Sequence, residues 1–368
     1  MFCAVVGMAL LFAHAVAGEA GAENPPLKIG VLSVRGAKQC LDSWSPTADY
    51  LTRQVSGHRF VIVPLAYERI QPHVEHAEVD FILSNPATYV ELEHWYQTSC
   101  IATMKERSAG GVSTKYGGVV FRRSDREDIR TLNDLAGKTF MAVSETSLGG
   151  WLMAWREFKE IGIDPYSEFK VLRFGETQDR VVFAVRDGVV DAGTVRTGTL
   201  EALSIEGKIE LSDFHVFAQH HDPGERPAYL CTTREYPGWP MARVRHTPDA
   251  LAEKVAVALL QMPPDAIAAR TAGCAGWTIP LNYQPVHDCL KVLKVRPYQD
   301  LGKITITDIV TNYGHWIIAA MSFFCILAGF VVAAMKLNTE VEASNKRLKA
   351  EMELREQKER ELVSFWPI

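Results

Sequence analysis

Three short stretches carry side chains able to hold a small charged molecule. S-E-T-S-L-G-G at 144–150 places the hydroxyls of Ser144, Thr146 and Ser147 just ahead of Gly149 and Gly150. S-N-P-A-T-Y at 84–89 offers Asn85 and Tyr89, and D-A-G-T-V-R-T at 191–197 offers Asp191 and Arg196. Each lies where an apolar run gives way to a helical pattern, and open backbone N–H groups at such a junction can hold an anion. With Ser147 as N-cap, the N–H groups of Gly149 and Gly150 are expected to point out of the helix start, and the missing side chains let a ligand approach the backbone. A structural reading stands beside this one. Ser147 and Asn85 are ordinary capping residues, and Arg196 can serve in an ion pair that carries no ligand.

Other chemistries find less support. Gly137-Lys138-Thr139 resembles the end of a nucleotide phosphate loop, but the pattern needs glycine at 132, where the chain has Leu132. The triplet also precedes a strand pattern, whereas such a loop follows one. His73 with His76, and His220 with His221 and Asp222, lack the spacing of a metal motif; no H-E-x-x-H or Cys-x-x-Cys occurs. A Ser147 nucleophile would want a G-x-S-x-G elbow, which is absent. No catalytic residue, metal or cofactor is therefore expected.

The elements that must position these residues follow an alternating rhythm. Strands are expected at 27–34, 60–64, 79–83, 101–104, 118–121, 139–143, 170–173, 191–195, 214–218 and 228–232. Helices are expected from Ser45-Pro46 through Val55, and at 70–77, 86–96, 148–161, 177–186, 198–204 and 248–260. Leu148, Trp151, Leu152, Trp155, Phe158 and Ile161 repeat at helical spacing, one buried face behind the 144–150 loop. This βαβα order predicts an α/β fold with mixed or parallel sheets in two lobes. Gly and Pro punctuation puts the crossings near Lys115–Gly118 and Pro227–Cys231: lobe 1 at about 27–115 and 228–300, lobe 2 at about 116–227.

The 368 residues are 47% hydrophobic and 23% charged, with net charge −5, globular composition without the basic stripe that nucleic acid requires. Residues 1–22 read as a signal peptide or uncleaved leader, though no Lys or Arg precedes Lys28. Residues 316–335 are uncharged and long enough to span about 30 Å of hydrocarbon. Lys336, Lys346, Arg347 and Lys349 follow, which orients the tail to the cytoplasm and the lobes outside. Val341, Asn345, Leu348 and Met352 in the juxtamembrane segment 336–368 form a heptad-like seam, expected either to pair two copies or to remain a short solvated helix. Of seven cysteines, Cys40, Cys100, Cys231, Cys274 and Cys289 fall in the extracytoplasmic part; Cys274 and Cys289 are the nearest candidates for a bridge.

Taken in order, L-K-I-G-V-L-S at 27–33, C-L-D-S-W-S-P-T-A-D-Y-L at 40–51, V-D-F-I-L-S-N-P-A-T-Y-V at 79–90, T-L-N-D-L-A-G-K-T-F at 131–140, S-E-T-S-L-G-G-W at 144–151, V-D-A-G-T-V-R-T at 190–197 and G-W-T-I-P-L-N-Y-Q-P-V-H-D-C-L at 276–290 are similar to the phosphonate/sulfonate family of type II periplasmic binding proteins. The membrane-anchored sensor region of tetrathionate-sensor-like histidine kinases is the nearer likeness, over about 27–300. That resemblance implies two lobes closing on a small molecule without catalysis. It implies ligand contacts at Ser144, Thr146, Ser147, Asn85 and Tyr89, and at Tyr116, Asp191 and Arg196, with Trp44 at the cleft mouth. Glu145 inside the loop is expected to face solvent or to pair with Arg196 or Arg180; otherwise the ligand is not a simple anion.

The expected function is a single-pass inner-membrane sensor with its binding domain in the periplasm. It would bind a phosphonate, sulfonate, sulfur oxoanion or organic acid and signal, as a homodimer, to a cytoplasmic kinase or response-regulator system. The phosphoacceptor and ATP-binding domains of such kinases are absent from the sequence, so phosphorylation is not expected of this chain. A tethered substrate-binding component of an ABC transporter is the alternative.

Overall fold

A computed structural model describes residues 25–108, 111–217, 230–302 and 306–364, so the leader reading at 1–22 lies outside the described residues. The chain forms two units, one ending at Leu301 and one beginning at Gly302.

In the first unit the apolar runs become strands β1 (Leu27–Leu32), β2 (Phe60–Leu65), β3 (Phe81–Leu83), β4 (Ser99–Ser108), β5 (Gly111–Ser113), β6 (Lys115–Tyr116) and β7 (Gly118–Arg123). They continue as β8 (Thr139–Ala142), β9 (Val171–Phe174), β10 (Ala192–Arg196), β11 (Phe214–Val216), β12 (Tyr236–Pro237), β13 (Pro240–Arg243) and β14 (Cys274–Thr278). The helices are α1 (Ala37–Gln54), α2 (Tyr67–Glu75), α3 (Pro86–Tyr96), α4 (Met153–Glu160), α5 (Pro165–Glu168), α6 (Gln178–Arg186), α7 (Thr199–Ile205), α8 (Asp249–Leu260), α9 (Ile267–Thr271) and α10 (Gln284–Leu293).

Two mixed sheets result. One runs β14-β4-β13-β3-β1-β2 with β5 beside β4, the other β11-β7-β10-β8-β9. β1 lies parallel to β2 and β3, and β8 parallel to β9 and β10, so the helices that follow these strands start along one edge of each sheet. The first sheet closes on Ile29, Val31, Phe81, Ile82 and Leu83, all buried. The second packs Phe140 against Phe158 edge-on at 5.6 Å and against Trp151 at 6.2 Å. The chain passes between the sheets along a two-strand ribbon in which β6 pairs with β12, Tyr116 opposite Tyr236. Gly117 follows: a Cβ there would lie 2.4 Å from Cys231 Sγ, so only glycine lets the two segments pass this closely. On the return, Thr232 N–H still donates to Gly118 O at 2.8 Å, and the chain reaches the first sheet at β13.

Three sequence expectations are corrected. The first helix starts at Ala37, after Gly36 at φ +94°, and carries Pro46 in its interior. Cys40, Trp44, Ala48 and Leu51 form a buried stripe that anchors the first turns, and this packing outweighs the hydrogen bond that Pro46 removes. The bridge between Cys274 and Cys289 is not formed; all cysteines among the described residues are free. Cys274 S–H donates to Gly276 O at 2.9 Å within β14, while Cys289 on α10 faces Leu152 O at 3.9 Å. No strand forms at 230–232, the described part of the expected run at 228–232.

The second unit is one helix, α11 (Ile306–Ser364). Its segment Ile309–Leu362 is long and apolar enough to cross a membrane, with a peak window of mean hydropathy 2.6. At 1.5 Å per residue the helix is about 90 Å long, well beyond one bilayer. Val341, Leu348 and Met352 are exposed along it.

Candidate functional site

Tyr116 of the ribbon, Trp239 and Glu106 of the first sheet converge on Arg196 of the second. Its guanidinium, at the end of β10, lies 5.0 Å from the centre of the Tyr116 ring and 5.5 Å from that of Trp239. A cation between two aromatic faces is held by their quadrupoles. The same guanidinium donates to Glu106 Oε1 on β4, an ion pair that joins the second sheet to the first. Glu106 is 6% exposed. Beside them the Tyr116 hydroxyl and the Trp239 indole N–H are buried, and neither makes a hydrogen bond of ordinary geometry among the described residues. Burial and the nearby Glu106 hold the Tyr116 phenol above its usual range, so the hydroxyl stays a donor.

Ser147 closes the site from the second sheet. It caps a single π-helical turn, Leu148–Leu152, and its Oγ accepts from Gly150 N–H at 3.2 Å. The same Oγ accepts from the Tyr67 hydroxyl at 2.9 Å, and Tyr67 opens α2 on the first sheet. Burial pushes the Tyr67 phenol up to about 12, with Ser147 and Arg196 opposing, so it too remains protonated. Gly149 is pressed onto the ring: a Cβ there would meet Tyr116 Cε2 at 2.8 Å and Arg196 Cβ at 2.9 Å. At Gly150 a Cβ would meet Val143 Cγ2 at 2.5 Å. The two glycines therefore let the helix turn approach its own protein, and the Gly150 N–H is spent on the cap. That corrects the expectation of open amides at both positions.

A cavity of about 310 Å³ adjoins this cluster, lined by Arg196, Glu106, Gln178, Thr197, Thr199 and Glu201 among others. Gln178 Oε1 accepts Arg196 N–H at 3.0 Å. Glu201 Oε1 accepts Leu230 N–H at 2.8 Å, while its Oε2 is buried without a partner among the described residues. At the rim, Arg35 after β1 clasps two carboxylates of the opposite sheet's helices. Its Nε and Nη2 donate to Asp179 at 2.7 and 2.9 Å, and its Nη1 and Nη2 to Glu206 at 2.7 and 2.9 Å. Hydrogen bonding to Arg35 holds the Glu206 carboxyl down at about 2. Next to the clasp, Gln178 N–H donates to Val34 O at 3.2 Å.

Of the residues singled out from sequence, Arg196, Tyr116, Ser147 and Gly149 come together here. The others are placed differently. Asn85 spends its side chain on the cap of α3, accepting from Ala87 and Thr88 N–H at 2.9 and 3.1 Å and donating to Thr88 Oγ1. Tyr89 turns to Glu93 at 2.6 Å and packs on Tyr283. Asp191 sits at the opposite end of β10 from Arg196, about 16 Å along the strand, holding Arg126 and the Thr139 N–H and hydroxyl. Trp44 lies buried beside Trp277 at 6.5 Å. Ser144 and Thr146 face each other at 3.4 Å on an exposed loop. Glu145 is exposed and pairs with neither expected arginine, since Arg196 meets Glu106 and Arg180 meets Glu176.

Tyr67, Glu106, Trp239, Gln178 and Arg35 escaped the sequence reading. Arg35 and Tyr67 each follow a strand of the first sheet, β1 and β2, so the strand-end rule applied to every strand reaches them. Glu106 and Trp239 have no local signal; only the pairing of β4 with β13 brings them together.

The family model described as "ABC transporter, phosphonate, periplasmic substrate-binding protein" matches residues 29–282. The tetrathionate sensor histidine kinase TtrS of Salmonella typhimurium is 30% identical over 272 residues, 74% of this chain and 44% of that protein. The chain thus spans less than half the length of this relative. Among solved structures, a binding-protein component of an ABC phosphonate transporter from Pseudomonas aeruginosa superposes with a TM-score of 0.62 at 15% identity, covering 83% of this chain and 98% of that one. PhnD1 of Prochlorococcus marinus in complex with methylphosphonate gives 0.61 at 15% identity, covering 73% and 98%. These likenesses carry the fold, a type II binding-protein architecture.

Proposed function

The chain belongs to the periplasmic phosphonate substrate-binding family, and within it we propose a membrane-anchored sensor that binds a small anionic ligand between its lobes. The single observation that carries this reading is the meeting of Tyr116, Trp239 and Glu106 on Arg196, beside the Tyr67–Ser147 hydrogen bond between the two sheets. A phosphonate, sulfonate, sulfur oxoanion or organic acid has the oxygen acceptors that an arginine and these donors can satisfy. Ser144 and Thr146, on the adjoining loop, remain candidate contacts once ligand reorders it. Because Glu106 already answers Arg196, the ligand must displace that carboxylate or hold it through a donor of its own. Selectivity then comes from matching both groups.

Ligand favours closure only through its higher affinity for the closed arrangement. Lobe closure is read by α11, which crosses the inner membrane once, with the lobes in the periplasm. The heptad-like seam at Val341, Asn345, Leu348 and Met352 pairs two copies, and the signal passes to a histidine-kinase-type partner. The relative named as a tetrathionate sensor histidine kinase supports this over a transport role. The family description favours the second reading, a tethered component of an ABC transporter. Deleting residues 337–368 separates the two: transport survives the deletion and signalling does not.

Calorimetry on the full chain in lipid nanodiscs, with methylphosphonate, ethanesulfonate, tetrathionate and succinate as titrants, tests the site. Arg196→Ala is expected to weaken the best of them by at least about 10-fold, the loss of one charge-assisted contact. An unchanged affinity with a folded variant refutes the assignment.

A further inference from the structure

A second cavity of about 280 Å³ shares no lining residue with the one beside Arg196. Its walls come from helices on both sheets: Ala87 on α3 and Leu290 on α10 face Leu152, Trp155 and Tyr166. The aromatic wall is rigid. Trp155 stacks on the buried Trp151 with centroids 5.7 Å apart and planes at 17°, and the Tyr166 ring stands against it at 5.0 Å. With Leu152, Leu290 and Val295 these rings make one apolar wall.

Polar side chains break that lining: Glu145 and Thr146 of the 144–150 loop, the Glu91–Arg296 ion pair at 3.1 Å, Gln299 and Lys294. Gln299 Oε1 lines the same cavity, buried, and accepts no hydrogen bond among the described residues. A buried acceptor without a donor is costly, so the complement missing from this site is an N–H or O–H. At the mouth stands Lys294, the exposed residue that ends α10 in a left-handed conformation at φ 54°.

We propose that this cavity is a second binding site, for an aromatic molecule of one or two fused rings carrying a hydrogen-bond donor. The rings lie against Trp155 and Tyr166, the donor is accepted by Gln299 Oε1, and an anionic substituent is directed to Lys294, with Glu91 already answered by Arg296 and Glu145 left to solvent. Since both lobes wall the cavity, an occupant bridges them and adds to closure from outside the Arg196 cluster; reciprocal coupling between the two sites follows from linkage. The site stands whether or not an oxoanion binds at Arg196.

The test uses the full chain in nanodiscs and two probes, 6-hydroxy-2-naphthoate and its 6-methoxy ether, titrated calorimetrically. The hydroxyl compound is expected to bind about 10-fold more tightly than the ether, which lacks the donor. Gln299→Leu should remove that difference while retaining ether binding. Trp155→Ala should weaken both by at least about 10-fold, with Trp155→Phe restoring part of the affinity and controlling for folding. Equal affinity of the two probes for the unaltered chain, no saturable binding of either, or a Gln299→Leu variant that still discriminates would each overturn the assignment.

Discussion

Arg35→Ala should open the molecule by a measurable amount. The side chain gives four N–H···O bonds of 2.7–2.9 Å to Asp179 and Glu206. Arg35, Asp179 and Glu206 are 20%, 21% and 33% exposed, so solvent screens the charges, and the two pairs together stabilise closure by about 1–2 kcal/mol. That corresponds to about a 5- to 30-fold shift toward the open arrangement. Gln178 N–H reports it directly, because its acceptor, Val34 O, lies across the cleft. Hydrogen–deuterium exchange of the peptide spanning Gln178 should accelerate by about that factor, while amides within β1 keep their protection. The pH dependence has a definite sign. Glu206 falls from its usual 4.5 to about 2 in the folded state, chiefly through hydrogen bonding to Arg35. Its contribution is complete above about pH 4.5 and is lost as pH falls toward 2. Unchanged exchange at Gln178 in the variant, at neutral pH and low salt, would refute the clasp.

Other substitutions separate binding from architecture. Tyr67→Phe removes the donor to Ser147 Oγ and should cost about 0.5–1.5 kcal/mol of closure, read as up to about a 10-fold weaker ligand affinity by calorimetry. Gly149→Ala drives a Cβ against Tyr116 and Arg196 and should destabilise the fold by about 1–3 kcal/mol in thermal denaturation. Asp191→Asn breaks the contacts with Arg126 and Thr139 and should lower the melting temperature while leaving ligand affinity intact.

Local chemistry made much of the fold legible. Asn85-Pro86 fixes the start of α3 because one residue caps and the next has a preset φ, and the helix runs Pro86–Tyr96 as its pattern implies. The same logic misled at Ser45-Pro46, where the buried stripe from Cys40 to Leu51 carries the helix through the proline. The candidate site was legible where a residue ends a strand, as with Arg196, or caps a helix, as with Ser147. It was illegible where the contact depends on pairing distant segments. Glu106 and Trp239 acquire their meaning from a sheet in which β4 lies beside β13, far apart along the chain. Asp191 shows the opposite failure: it is adjacent to the right strand but at the wrong end of it.

The five described thiols of the binding unit are held in the unreactive protonated form. Burial pushes Cys40 and Cys231 up to about 12, and Cys100, Cys274 and Cys289 to about 11. At neutral pH these groups stay thiols, and the thiolate is the form that attacks sulfur. The described fold is held together without a disulfide. A sulfur oxoanion with an electrophilic S–S bond would meet no thiolate at these five positions, which favours holding and releasing it over consuming it.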